Sequence, residues 1–118
     1  MSLHSPRTFD KFVIGLRGGT ISLQWGSHVA KVGGKVFALC TDDGSRLVFK
    51  VSEMSFEGLT TLEGVTQAPY FARRQWVSVG RGSGLTEPEL RSYVVTSYDM
   101  IVGKLTRKLR GELGLTQA

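Results

Sequence analysis

Arginines and aromatic residues lie close together in one stretch of the sequence, residues 68–79. Arg73 and Arg74 stand between Tyr70 and Trp76 in this stretch. Guanidinium groups make bidentate contacts to phosphate, and aromatic rings stack on unpaired bases, so these residue types suit nucleic-acid binding. The sequence leaves an alternative open, in which the aromatic side chains pack in or beside the core and the arginines are solvated.

The candidate nucleic-acid contacts extend to cations on the neighbouring predicted hairpins. A formal net charge of +5 and a sequence pI near 9.7 favour association with anions such as DNA. Many soluble domains are equally basic without an acidic partner, so the charge alone leaves both interpretations open. The residues assigned to nucleic-acid binding are Lys31, Lys35, Arg46, Lys50, Arg73, Arg74 and Arg81.

Catalytic residues are not predicted. Acid–base or nucleophilic catalysis needs a nucleophile beside a positioned base, or two carboxylates with separated pKa values. His28 follows Ser27, but adjacent strand residues point to opposite faces, so the two do not form a catalytic pair. His4 lies near the N-terminus, where we expect fraying. The sequence therefore predicts a protein that is not an enzyme.

Metal and cofactor sites are not predicted either. Cys40 is the only cysteine, and its apolar surroundings in the sequence predict a buried structural thiol. Asp42 and Asp43 fall in a predicted turn, where aspartate makes local hydrogen bonds, whereas hard cations need several convergent oxygen ligands. The glycine-rich run 80–84 lacks the lysine and spacing of phosphate-binding loops. We interpret it as a flexible connection, with an anion-contacting tip at Arg81 as the alternative.

The length and composition predict one globular domain over residues 1–118. Apolar residues make up 41% of the chain and charged residues 21%, a balance that argues against disorder. No apolar run approaches the roughly 20 residues of a membrane span, and the N-terminus lacks the apolar core of a signal peptide. We therefore expect a cytoplasmic protein without membrane contact, and a monomer is favoured.

Hydrophobic periodicity predicts an α+β fold with an antiparallel sheet of about five strands. An N-terminal helix, a middle helix and a long C-terminal helix are expected to pack on one face of this sheet. Residues 65–75 are expected to be irregular because Pro69 removes a hydrogen-bond donor and disfavours helix before it. The predicted elements are a helix over 6–17, strands over 20–25, 28–32, 35–41 and 46–51, a helix over 53–63, a strand over 76–79, and a helix from Thr86 through Leu109.

Three motifs occur in order along the chain and resemble the MmcQ/YjbR family. They are K-V-G-G-K-V-F at 31–37, P-Y-F-A-R-R-Q-W-V at 69–77 and S-Y-D-M-I-V-G-K-L at 97–105. The resemblance implies a compact α+β domain similar to the CyaY/frataxin group, with two β-hairpin wings for which DNA binding has been proposed. The positions that match the family motifs are Lys31, Lys35, Lys50, Pro69, Tyr70, Arg73, Trp76, Tyr98 and Lys104.

Two departures limit what the resemblance implies. Many family members have histidine just before the tryptophan, and this chain has Gln75, so a role that needs a titrating group there is in doubt. The frataxin likeness suggests iron handling, which rests on an acidic first helix. Here the first helix carries Arg7, Lys11 and Arg17 with only Asp10 opposing them. Since a cationic face repels a metal ion, we do not expect iron binding.

Nucleic-acid binding through a basic hairpin face is therefore the leading hypothesis from the sequence. The alternative is a protein-interaction or small-ligand-binding adaptor with a pocket near Tyr70 and Trp76. Dispersal of Arg46, Lys50 and Arg73 beside a concave apolar pocket would favour the adaptor.

Overall fold

A computed structural model describes residues 2–115, which form six strands and four helices. The elements follow one another as an N-terminal helix, four strands, a short helix, two strands and two C-terminal helices. In chain order they are α1 (Pro6–Ile14), β1 (Gly19–Gln24), β2 (Ser27–Val32), β3 (Lys35–Thr41), β4 (Arg46–Lys50), α2 (Glu53–Leu59), β5 (Val65–Gln67), β6 (Trp76–Gly80), α3 (Glu87–Val102) and α4 (Arg107–Glu112).

The strands form one sheet in the order β1-β2-β3-β4-β6-β5, and every neighbouring pair is antiparallel. This alternation brings the turn Gly33-Gly34, the end of β4 at Lys50 and the start of β6 at Trp76 to one end of the sheet, which we call the Lys50 end. The turn at Gly26 and the start of β4 lie at the other end, which we call the Arg46 end.

The helices pack on one face of the sheet and enclose the main core. Phe37 of β3 meets Tyr98 of α3 edge to face, with ring centroids 5.5 Å apart. Phe49 of β4 stacks on Tyr93 at 5.7 Å. Burial of such large apolar side chains stabilises the folded state by roughly 25 cal/mol for each Å² of apolar surface removed from water. Phe9 and Val13 of α1, Leu59 of α2 and Leu90, Val94 and Ile101 of α3 belong to the same core.

The opposite face of the sheet, which we call the open face, carries a second and smaller apolar cluster. This cluster includes Val29, Leu39 and Val48, with Trp76 and Ala68 at its edge. The loop between β5 and β6 crosses part of this face. The rest of the face has no covering helix among residues 2–115.

The predicted α+β class, antiparallel sheet and one-sided helices are confirmed. The sheet has one strand more than expected, because residues 65–67 form β5 inside the segment predicted to be irregular. Val65 pairs with Val79 and Gln67 with Val77. Three residues are too few to produce a period-two pattern, and Pro69 acts only on the loop that follows. The helices α1 and α2 end at Ile14 and Leu59, earlier than expected.

The long C-terminal helix of the sequence prediction is divided into α3 and α4. Thr106 interrupts it, since its side chain accepts a 3.1 Å hydrogen bond from the backbone N–H of Leu109 and caps a new helix. Leu105 is buried in the intervening turn. The apolar spacing of Leu105 and Leu109 correctly marked residues that reach the core, but it contains no signal for the change of axis.

The N-terminal segment is anchored, contrary to the expected fraying at His4. The His4 ring is buried, and its Nε2 lies 3.0 Å from the carbonyl oxygen of Val79. The backbone N–H of Leu3 donates a 3.0 Å hydrogen bond to the Glu87 carboxylate. These contacts tie the segment to β6 and to the start of α3. None of the helices within residues 2–115 has the length and apolar character needed to cross a membrane.

Candidate functional site

Most of the 15 lysines and arginines lie at the Lys50 end. The C-terminal part of the chain packs against the β2–β3 turn at this end. Gly33 in that turn lies so close to it that an added Cβ atom would be only 2.7 Å from a Leu105 methyl group and 3.1 Å from one of Leu109. Arg17 joins this end through a 3.4 Å hydrogen bond to the Gly114 carbonyl. The cations at this end are Arg17, Lys31, Lys35, Lys50, Arg73, Arg74, Lys104, Arg107, Lys108 and Arg110.

Acidic residues do not balance these cations. Those at the Lys50 end are fewer, namely Glu53, Glu57, Asp99 and Glu112. At the Arg46 end the signs are mixed, because Asp10, Asp42, Asp43, Glu87 and Glu89 accompany Arg7, Arg46, Arg81 and Arg91. The positive charge of the protein is therefore concentrated at one end of the sheet, where its field attracts anions.

Four of the sequence-predicted contact residues lie at the Lys50 end with accessible side chains. Lys35 and Arg73 are exposed, and Lys31 is half-buried. Arg74 is also exposed, and its guanidinium forms an ion pair with Glu57 of α2. The structure thus brings the β2–β3 turn and the β5–β6 loop to the same end of the molecule, as a shared contact surface requires.

Lys50 lies at the same end but is buried, with 5% of its surface exposed. Its Nζ donates a 3.0 Å hydrogen bond to Oε1 of Gln75 and lies 5.5 Å from the centroid of the Trp76 ring. Burial, followed by the nearby charge of Lys104, lowers the pKa of the Lys50 ammonium below its usual value. Through these contacts Lys50 helps to position Gln75 and Trp76 at this end of the sheet.

Arg46 and Arg81 lie at the Arg46 end, apart from the other predicted contacts. The Arg46 guanidinium donates 2.8 Å hydrogen bonds to the hydroxyl and the carbonyl of Ser78, and a 3.2 Å hydrogen bond to the Thr66 hydroxyl. Arg81 Nε donates a 2.9 Å hydrogen bond to the Gly44 carbonyl. Their hydrogen bonds join β4, β5, β6 and the β3–β4 turn. Arg46, Lys50 and Arg73 are therefore dispersed, which is the arrangement expected for the adaptor alternative, while Lys31, Lys35, Arg73 and Arg74 remain together at the Lys50 end.

A polar cluster that sequence reasoning missed surrounds His28. Its Nδ1 lies 2.9 Å from both carboxylate oxygens of Asp10, and its Nε2 lies 3.4 Å from Asp42. The strand register places Cys40 directly opposite His28. Cys40 is fully buried, and this burial, reinforced by Asp10, raises its pKa to about 12. A thiol in this state is not a nucleophile at neutral pH.

The pairing register would have placed Cys40 opposite His28, but Asp10 reaches His28 from α1 through tertiary packing that no local pattern marks. Within residues 2–115, no group of three or more histidine, cysteine or carboxylate side chains is arranged to hold a metal ion.

A cavity of about 860 Å³ lies on the open face of the sheet. Leu39 and Val48 are among its apolar lining residues, and Trp25 and Tyr70 belong to its border. Trp76, which the sequence placed beside a pocket, packs behind the loop with its ring centroid 4.5 Å from that of Phe71. The polar side chains along the cavity are those of Ser27, Thr41, Arg46, Thr66 and Ser78.

The family model for YjbR matches residues 15–100, the greater part of the chain. The chain belongs to the YjbR family. This range of the YjbR chain includes the β2–β3 turn, the β5–β6 loop and most of α3, so the family region contains much of the Lys50 end. A search of curated proteins gave no match.

Two solved structures are similar to this YjbR protein in fold. One is the crystal structure of a Deinococcus radiodurans protein with a DUF419 domain, which has a TM-score of 0.83 and 22% sequence identity, covering 95% of this chain and 89% of that chain. The other is the crystal structure of a Pseudomonas syringae protein, with a TM-score of 0.66 and 16% identity, covering 80% of this chain and 96% of that chain. At these identities the likeness is one of fold alone.

Proposed function

We propose that this YjbR-family protein binds nucleic acid through the cations of the Lys50 end. The observation that carries the proposal is the concentration of positive charge at one end of the sheet, while the other end has mixed charge. A nucleic acid is a dense line of phosphates with condensed counterions, and a protein that neutralises several phosphates gains affinity from counterion release.

Exposed cations at this end lie on several separate segments of the chain. Lys35 lies at the β2–β3 turn, Arg73 on the β5–β6 loop, and Arg107 and Lys108 on the first turn of α4. Contacts from several elements fix the orientation of a protein on a phosphate backbone without reading base sequence. We therefore expect binding with little dependence on the sequence of the nucleic acid.

Salt dependence of DNA binding tests the proposal. Fluorescence anisotropy of a labelled duplex, measured from about 50 to 200 mM salt, should give a logarithm of affinity that falls linearly with the logarithm of salt concentration. The slope should be about −0.9 for each phosphate contacted. A salt-independent affinity, or no binding at the lowest salt concentration, would overturn the proposal.

A further inference from the structure

We infer that the cavity on the open face binds an unpaired base of a nucleic-acid strand whose phosphates lie along the Lys50 end. This inference rests on the proposed function and adds to it that single strands are preferred to duplexes. It depends on two exposed aromatic residues and on their position relative to the cations.

Trp25 and Tyr70 are unusual in both exposure and backbone conformation. The Tyr70 side chain is fully exposed, and Trp25 is 67% exposed. Both residues have positive φ angles, 56° at Trp25 and 69° at Tyr70. Trp25 precedes Gly26, also at positive φ, in the two-residue turn between β1 and β2. Such a turn favours asparagine or glycine at its first position, so tryptophan there costs folding free energy.

The cavity offers an apolar surface for a ring and polar groups for its edge. Leu39 and Val48 supply apolar surface. The hydroxyl oxygens of Ser27 and Thr41, which donate to the Trp25 carbonyl and to Asp43, can each still accept a hydrogen bond from the edge of a heteroaromatic ring. Exposed aromatic side chains on an open sheet are surfaces on which bases stack, and every base has a face that can stack. An apolar cavity bordered by two such rings therefore fits a nucleobase.

The cavity extends from the Arg46 end, where Trp25, Thr41 and Arg46 lie, to Tyr70 of the β5–β6 loop, the loop that also carries Arg73 of the Lys50 end. Tyr70 borders the cavity, and Arg73 and Arg74 follow it in the same β5–β6 loop. Arg74 forms an ion pair with Glu57 of α2, so a strand whose backbone lies on Arg73 can direct a base toward Tyr70 and the open face. The bases of a duplex are stacked and paired, so only an unpaired base can enter. Charge complementarity thus favours a strand over a neutral aromatic molecule.

The test compares one strand alone, the same strand annealed to its complement, and an abasic strand of equal length. At one salt concentration the single strand should bind the wild-type protein more tightly than either of the others. Tyr70→Ala and Trp25→Ala should each lower the affinity for the single strand by about 5- to 150-fold, which corresponds to removal of one stacked base. Neither variant should change the affinity for the duplex. Neither should change the slope of the logarithm of duplex affinity against the logarithm of salt concentration.

Two further variants separate stacking from structural effects. Tyr70→Phe keeps the ring and should retain the affinity of the wild type. Leu23→Ala removes an exposed apolar side chain that does not line the cavity, and it should have no effect. Circular dichroism melting of every variant identifies any loss of folding.

The possible results distinguish this inference from the proposed function. Equal binding of single strand, duplex and abasic strand, unaffected by Tyr70→Ala and Trp25→Ala, would overturn the base site and leave phosphate binding intact. Absence of binding to all three at low salt would overturn both. Binding of a free mononucleotide as tight as that of the strand would also contradict the inference, since it would remove the role of the neighbouring phosphates.

Discussion

Lys50 Nζ donates a 3.0 Å hydrogen bond to the side-chain oxygen of Gln75. This bond joins the end of β4 to the residue that precedes β6. A backbone hydrogen bond connects the same two segments: the Val51 N–H donates to the Gln75 carbonyl at 2.8 Å. A buried cation with a neutral partner is costly to hold, and here it fixes the loop that carries Arg73 and Arg74. Lys50 therefore contributes to the site by positioning other residues.

The buried ammonium of Lys50 makes stability depend on alkaline pH. Its pKa is lowered in the folded protein from 10.5, so below the folded value the ammonium is charged in both states and its burial penalty is fully present. As pH rises through the folded pKa toward 10.5, the native state releases the proton first and the penalty is relieved. The free energy of unfolding of the wild type, relative to Lys50→Met, should therefore increase over this range. Urea titrations at several pH values measure this difference in the free energy of unfolding. A difference that stays constant with pH would contradict a lowered pKa for Lys50.

Arg46 and Arg73 should affect different properties. Arg46→Ala leaves the buried Ser78 hydroxyl without its guanidinium donor and should lower the free energy of unfolding by about 1–3 kcal/mol, with little change in affinity for a DNA duplex. Arg73→Ala removes an exposed cation and should weaken DNA binding with little change in stability. Paired denaturation and anisotropy measurements check this. The reverse pattern would mean that the phosphates of the duplex lie at the Arg46 end.

Gly33 and Gly34 form a matched pair at the β2–β3 turn. Both have positive φ, 59° and 78°, so alanine at either position should cost about 1–2 kcal/mol of backbone strain. A Cβ atom at Gly33 also meets the buried Leu105 at 2.7 Å, whereas one at Gly34 meets nothing within 4 Å. Gly33→Ala should therefore be less stable than Gly34→Ala by about 1–3 kcal/mol in urea unfolding. Equal destabilisation by the two substitutions would show that Leu105 does not pack on the turn.

Cys40 should be inert in the native protein. Because burial raises its pKa to about 12, almost no thiolate is present near neutral pH, and the side chain is inaccessible. Iodoacetamide should label it only when urea unfolds the chain, which mass spectrometry can follow. Rapid labelling of the folded protein would instead indicate a reactive thiol beside His28.

The sequence predicted the parts of the fold that repeat over many residues. The alternation in β1 and β4, the apolar run of β3 and the apolar stripe of α3 each extend over several residues, so they indicate element type strongly. The three-residue strand β5 and the cap at Thr106 depend on single contacts made after folding. Local patterns contain too little information to mark such short features.

The sequence predicted the types of residue in the candidate site better than it predicted where their side chains lie. Lys35 and Arg73 are exposed, as cations on turns and loops usually are. Nothing in the local sequence distinguishes Lys50 or Arg46 from them, because their burial and hydrogen bonds come from distant partners such as Gln75 and Ser78. In the single long helix predicted from sequence, the helix dipole accounts for cations near the C-terminus without any ligand. The structure instead places Arg107 and Lys108 in the first turn of α4, where the dipole does not favour them, and the packing of Leu105 against the β2–β3 turn brings them to the candidate site.

Nucleic-acid binding at the Lys50 end is tested most directly by the salt slope of duplex binding for two double variants with equal charge change. Lys35→Ala/Lys108→Ala removes exposed cations from the Lys50 end, and Arg7→Ala/Lys11→Ala removes exposed cations from α1. The first should make the slope shallower by about 0.9 for each phosphate that the variant no longer neutralises, and the second should leave the slope unchanged. Equal slopes for both variants would contradict nucleic-acid binding at the Lys50 end.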